Sequence, residues 1–230
     1  MIKSAVAIIP ARGGSKGVPR KNLVELNGAP LIWWSIKAAL ESGCIDKVIV
    51  TSDDDDILSV SHELGADVVK RPYELATDEA STLPVLRHAL LSMTCEERAH
   101  YQYLILLQPT SPLRTSRHIE EAFQLIREGG GDAVISVLRR DSSPLKWFVE
   151  KDGVLQGAVN AEFPFLRRQD LPNVCSANGA IYIIGIDEFL KNESLLTKNT
   201  LPYYMDEAVS IDIDDTTDLQ KAEMIMADSI

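Results

Sequence analysis

A chain of 230 residues is long enough for one domain with a substantial core, and its 45% hydrophobic and 25% charged residues are ordinary for a globular protein. A net charge of −11 argues against general binding to nucleic acid or to an anionic membrane, and no apolar run approaches the roughly 18 residues of a membrane-spanning helix. The first apolar run is too short for a signal peptide, and Cys44, Cys95 and Cys175 share no ligand spacing, so free thiols in a reducing cytoplasm are expected.

In chain order, Ala5 to Ile9 is a continuous apolar run and reads as a buried strand. Pro30 to Leu40 reads as a helix opened by its proline. Lys47 to Thr51 is a second strand, followed by Asp53 to Asp56 where a helix running to Leu64 begins. Four consecutive acids could form a metal site, but acids in a first turn favour the helix dipole, and that reading is preferred. Asp67 to Lys70 is a short strand, and Asp78 to Met93 has a helical pattern interrupted by Pro84. Tyr103 to Leu107 is a strand, Arg117 to Arg127 a helix closed by three glycines, and Ala133 to Leu138 a buried strand. From about Arg139 to Tyr204 the pattern changes to short strands, two of them, Trp147 to Glu150 and Val154 to Val159, around the turn Asp152-Gly153. Ala180 to Ile184 is a strand, Asp187 to Asn192 a short helix, and Thr216 to Met226 a closing helix capped by Thr216 or Asp215. The alternation predicts a single α/β domain over residues 1–230, its sheet mostly parallel and flanked by helices, with 139–204 as a mostly β insertion.

The stretch that follows the first strand is chemically unlike the rest of the chain. Residues 12 to 22 hold Arg12, Lys16, Arg20 and Lys21 and no acid. Gly13, Gly14 and Gly17 allow close backbone approach, and the loop sits at the carboxyl end of a first strand, where open parallel sheets place ligands. Cations and backbone donors together suit a triphosphate. The kinase-type phosphate loop is excluded because Lys16 is not preceded by glycine, and the dinucleotide fingerprint because the glycines are adjacent and cations and a proline follow. Near the other end, Asp212 and Asp214 flank Ile213. On a strand two such carboxylates share a face and suit a hard cation such as Mg²⁺; equally, Asp212, Asp214 and Asp215 could be caps preceding a helix.

Pro10-Ala11-Arg12-Gly13-Gly14-Ser15-Lys16 with Pro19-Arg20-Lys21-Asn22 resembles the signature loop of the acylneuraminate cytidylyltransferases, the CMP-sialic acid synthetases. Gln108 to Arg114, Asn178 to Tyr182 and Ser210 to Asp214 match that family's further motifs in its order, so the resemblance runs nearly end to end. It implies a Rossmann-like sheet of the nucleotide-diphospho-sugar transferase type and transfer of CMP from CTP to a nonulosonic sugar acid, releasing pyrophosphate. It also implies Mg²⁺ as cofactor, held by Asp212 and Asp214, and a homodimer in which the 139–204 segment contacts the partner and covers its sugar. Arg12, Ser15, Lys16 and Lys21 are the implied phosphate ligands, with Arg12, Lys21, Asp212 and Asp214 as the catalytic set. Asn22, Arg71, Thr82 and Gln108 are implied on the nucleotide, and Gln108, Lys146, Arg168 and Tyr182 around the sugar. Two rival readings are a nucleotidyltransferase for another sugar or polyol phosphate and a non-catalytic nucleotide-binding domain. One departure bears on the sugar: Ser176 stands where sialic acid-specific members carry an arginine, and serine cannot make the bidentate carboxylate contact. The resemblance therefore leans towards a legionaminic or pseudaminic acid.

Overall fold

The computed structural model describes residues 4–15 and 17–227. The strands are β1 (Ala5–Pro10), β2 (Glu25–Leu26), β3 (Ala29–Pro30), β4 (Lys47–Ser52), β5 (Asp67–Lys70), β6 (Tyr103–Leu106), β7 (Ala133–Arg140), β8 (Phe148–Lys151), β9 (Val154–Gly157), β10 (Val174–Gly185) and β11 (Thr200–Tyr204). The helices are α1 (Leu31–Leu40), α2 (Asp55–Glu63), α3 (Thr82–Leu91), α4 (Cys95–Arg98), α5 (Ser116–Arg127), α6 (Ile186–Asn192) and α7 (Thr216–Ala227).

Seven strands form one sheet in the order β11-β7-β10-β6-β1-β4-β5. β10 is antiparallel to both of its neighbours, while the other pairings are parallel. The first strand lies between β6 and β4, with Ile8 opposite both Leu106 and Ile49. Its side chains alternate between two layers, as a period-2 chain must. Ala5, Ala7 and Ile9 pack with Ile32 and Ile36 of α1 and Phe123 of α5. Val6 and Ile8 pack with Leu86 and Leu90 of α3 and Phe189 of α6. Ala5 to Ile9 are fully buried, which is why they read as an unbroken apolar run. The predicted α/β class is thus the observed one.

Four sequence expectations are corrected. Pro84 does not interrupt a helix begun at Asp78; α3 starts at Thr82, and the proline falls in a first turn, where its missing N–H has no partner to lose. Asp212 and Asp214 are not on a strand: 211–214 carry no regular structure. The strand expected at 180–184 begins at Val174, with an irregularity between Ala177 and Tyr182 in its pairing to β7. Within 139–204, β10 and β11 belong to the main sheet, so the segment outside it runs from 141 to 173 and carries the separate β8–β9 hairpin. Among the described residues no helix is long and apolar enough to cross a membrane, and Cys44, Cys95 and Cys175 are free.

The acids after β4 do serve α2: Asp54 Oδ1 accepts from the amides of Asp56 (2.9 Å) and Ile57 (3.1 Å) as its N-cap. Asp54→Ala is expected to lower the free energy of unfolding by about 1 kcal/mol, read from urea denaturation, with the midpoint reduced and the slope unchanged.

Candidate active site

β1 ends at Pro10, and the chain enters the basic loop with Ala11 still buried. The loop is fixed from below by apolar contact. Val18 is buried with Leu26, Leu31, Leu113, Leu219, Ala222 and Ile213. Ile213 is the residue between the two aspartates, so one small core brings the cationic loop and the carboxylates side by side. The approach is close enough that a Cβ on Gly17 would collide with the carbonyl oxygen of Asp214.

The loop and the carboxyl ends of the neighbouring strands enclose a cavity of about 400 Å³. Of the residues implied from sequence, it is lined by Arg12, Ser15, Lys21, Asn22, Arg71, Thr82, Gln108 and Asp214. Lys16 lies outside the described residues. Lys21, mostly buried, donates from Nζ to Ile213 O (2.6 Å) and pairs with Asp214 Oδ1 (3.2 Å). Asn22 is buried, and its Nδ2 donates to Arg12 O (2.9 Å), tying the loop's two ends. Arg12 Nη1 pairs with Asp78 Oδ1 (2.6 Å), an acid from the 72–81 loop that forms the opposite wall. Arg71 Nη2 donates to Thr51 O (2.7 Å), and its Nε is buried without a hydrogen-bond partner. Burial pulls the Arg71 pKa below its ordinary value; Asp53 opposes that shift and Arg12 adds to it. A buried guanidinium beside another cation, with a donor unused, favours an incoming anion or carbonyl. The first turn of α3 contributes Thr82 and Val85 to the same wall.

Asp212 is adjacent to the cavity but does not line it. Partial burial raises its pKa above the usual carboxylate range; a hydrogen bond from Thr110 and the Lys21 charge oppose this, and the Asp214 charge adds to it. Among the described residues no group of three or more His, Cys, Asp or Glu side chains forms a metal cage. Tyr182 stands on β10 opposite Leu106 and packs in the α3–α6 layer. Burial raises its pKa, and the nearby Asp212 charge adds to the effect.

Lys146 and Arg168 are not brought into this cavity. Lys146 Nζ donates to Leu166 O (2.6 Å), and Arg168 Nη2 pairs with Asp141 (2.7 Å) beside a separate concavity. Both belong to the 141–173 segment.

Sequence reasoning missed the acids that hold the cations. Asp53 Oδ1 accepts from Gly13 N (3.0 Å), and Arg20 pairs with Asp56 (2.6 Å). The run Asp53–Asp56 carried the signal, but only its helix-capping half is local. Asp78 gives no local sign of its partner 66 residues away.

Comparison with known proteins agrees with the geometry. Residues 6–223 match the family model described as cytidylyltransferase. The chain belongs to the cytidylyltransferase family. It is 37% identical over 93% of its length to the N-acylneuraminate cytidylyltransferase of Streptococcus agalactiae, of which it spans 51%. It is 34% identical to the CMP-N,N'-diacetyllegionaminic acid synthase of Campylobacter jejuni, with 95% of this chain and 93% of that protein aligned. The chain therefore spans about half the length of the first relatives it matches and nearly the whole of the second kind. In fold it resembles a CMP:2-keto-3-deoxy-manno-octonic acid synthetase solved with CTP, at TM-score 0.72 and 18% identity over 99% of this chain and 100% of that one.

The contact at Gly17 has a direct consequence for stability. Gly17→Ala is expected to destabilise the fold by about 1–3 kcal/mol, because the loop or Asp214 must move. Gly14→Ala, whose Cβ would meet nothing within 4 Å, is expected to be neutral. Thermal unfolding of the two variants checks this, and equal midpoints would contradict the packing described.

Proposed function

We propose that this chain transfers CMP from CTP to the anomeric hydroxyl of a nonulosonic, sialic acid-like sugar acid. The sugar oxygen forms a bond to the α-phosphorus, the bond from that phosphorus to the α–β bridging oxygen breaks, and pyrophosphate leaves with the electron pair. The hydroxyl proton passes to a nearby base. The observation that carries the reading is the convergence of Arg12, Ser15, Lys21, Arg71 and Asp214 on one cavity at the end of β1, in a chain whose relatives are named for this chemistry.

Phosphoryl chemistry of this kind is mainly positioning and charge stabilisation. Arg12 and Ser15, with Lys16, are assigned to the triphosphate. Lys21 is the catalytic cation: held at Ile213 O and Asp214, it has little freedom and is set to meet charge developing on the reacting phosphates. The Arg12–Asp78 pair is half exposed, a class worth about 0–1 kcal/mol, so a polyanion can take Asp78's place at little cost. Asp212 and Asp214 would hold Mg²⁺; their proximity and mutual repulsion fit a hard cation that takes its other ligands from water and phosphate. That ion would neutralise phosphate charge when bound. Asn22, Thr82 and Gln108 are assigned to the nucleotide, with Gln108 also facing the sugar beside Tyr182.

The sugar side includes a second copy of the chain. Lys146 and Arg168 stand outside their own cavity, and the segment that bears them exposes Trp147 (64%), Leu155 (65%) and Phe165 (81%). Exposed apolar side chains in one segment suit a protein interface, which supports a homodimer whose 141–173 segments reach the partner's sugar. Ser176 in place of an arginine, with its Oγ accepting from Arg140 Nε (2.9 Å), favours a legionaminic or pseudaminic acid over N-acetylneuraminate. Free thiols fit a cytoplasmic setting.

Pyrophosphate release with purified protein tests the reading. Release is expected only with CTP, Mg²⁺ and a sugar acid together, and kcat/KM for the legionaminic or pseudaminic acid is expected to exceed that for N-acetylneuraminate about tenfold, roughly 1.4 kcal/mol. Equal use of ATP or UTP, or a requirement for a sugar phosphate, would overturn the assignment. A tenfold preference for N-acetylneuraminate would overturn the reading of Ser176 alone.

A further inference from the structure

The largest fully buried side chain among the described residues is an arginine that none of the chemistry above uses. Arg114 is 2% exposed, at the turn between β6 and α5. No carboxylate pairs with it among the described residues. Its Nη1 donates to three carbonyls: Gln108 (3.3 Å), Ser111 (3.1 Å) and Ala180 (3.3 Å). Its Nε and Nη2 have no hydrogen-bond partner. Burying a charge without a counter-charge is costly, and here burial pulls the guanidinium's pKa down to about 9, which leaves it charged at neutral pH. A fold that bears such a cost at one position gains something there.

What it gains is the geometry of one turn. Residues 108–111 leave β6 at the ligand end of the sheet, and Gln108, Pro109 and Thr110 line the cavity. Arg114 binds both ends of that turn and joins them to β10 at Ala180, where the pairing of β10 with β7 is irregular. On the same stretch Gly179 (φ +80°) lies so close to Gln108 Oε1 that a Cβ there would come within 2.5 Å of it, so the Gln108 side chain is seated on the segment that Arg114 ties down. From the turn the constraint passes on. Thr110 O accepts from Ile213 N (2.8 Å). Ile213 O in turn accepts from Lys21 Nζ (2.6 Å).

We infer that Arg114 is a positioning residue of this site, its guanidinium fixing the 108–111 turn and, through the Thr110 carbonyl, the seating of Ile213 and Lys21. Lysine is a poor substitute, since its flexible stem lacks the buried guanidinium plane that holds Nη1 against the carbonyls of Gln108, Ser111 and Ala180. The inference rests on the function proposed above for its effect on turnover, but not for its effect on the turn itself.

The test uses Arg114→Lys and Thr110→Val, each measured by amide hydrogen exchange, thermal unfolding, CTP affinity and steady-state rate. In R114K, exchange at Ser111 and Ile213 is expected to rise about tenfold or more, with β1 amides unchanged. kcat is expected to fall about 100-fold, the scale of loss for a small misplacement of reacting groups, while the Kd for CTP stays within about threefold. T110V keeps both the buried charge and the Thr110 carbonyl that accepts from Ile213 N, so exchange at Ser111 and Ile213 is expected to stay at the wild-type level. A wild-type kcat in a destabilised R114K, or exchange raised uniformly along the chain, would overturn the inference and leave Arg114 a structural residue only. Exchange at Ser111 and Ile213 raised as much in T110V as in R114K would also overturn it, since the order of the turn would then not depend on Arg114. Should R114K fail to fold, Arg114→Gln, which keeps an amide donor but loses the charge and reach of the guanidinium, takes its place with the same expected and overturning results. Should the wild type show no turnover with any sugar acid, the functional reading fails, and exchange at Ser111 and Ile213 still decides whether Arg114 holds the turn.

Discussion

A chain of net charge −11 carries four cations within the eleven residues 12–22, and the structure depends on how that concentration of charge is held in place. Carboxylates from three distant segments surround it. Asp53 and Asp56 at the start of α2 take Gly13 N and Arg20, Asp78 on the opposite wall takes Arg12, and Asp214 takes Lys21. None of these pairs is deeply buried, so each holds the loop without locking it. A ligand with several negative charges can displace side-chain carboxylates one at a time and find the donors already converged, which is the preorganisation a polyanion site needs.

Charge alone would not give the loop a register. The apolar contact of Val18 with Ile213 does so, since it seats the cationic loop beside the acidic segment in the one place where Gly17 can pass the Asp214 carbonyl. Ile213 is then held from the other side by the Thr110 carbonyl. Loop, turn and acidic segment therefore form one unit built on the sheet, and a displacement in any of the three is felt at Lys21.

Much of this was legible in the sequence, for identifiable reasons. β1 was readable because a strand buried on both faces is an unbroken apolar run, and the basic loop because its charge contrasts with the rest of the chain. The assignment of Arg71, Thr82 and Gln108 to one cavity came from family resemblance, since their neighbours in sequence are ordinary. The pairings were not legible. Asp78 with Arg12 and Lys21 with Ile213 O span 66 and 192 residues, and nothing local encodes them. Asp214 reaches the cavity without a strand, because the buried Ile213 beside it anchors the segment. Pro84 misled because a proline three residues into a helix looks the same in sequence as one that breaks it. Lys146 and Arg168 stay apart from the cavity because the segment that carries them leaves the main sheet and pairs them within itself, with Leu166 O and Asp141.

The central claim, that the loop after β1 is a cradle for a triphosphate, is tested most directly by comparing the affinities of CTP, CMP and cytidine by calorimetry at two salt concentrations. The account predicts that CTP binds about 100-fold or more tightly than cytidine, roughly 2.7 kcal/mol, with CMP between them, and that the advantage of CTP shrinks as salt screens the cations. Cytidine binding as tightly as CTP, or a CTP affinity indifferent to salt and to loss of the Arg12 side chain, would contradict it.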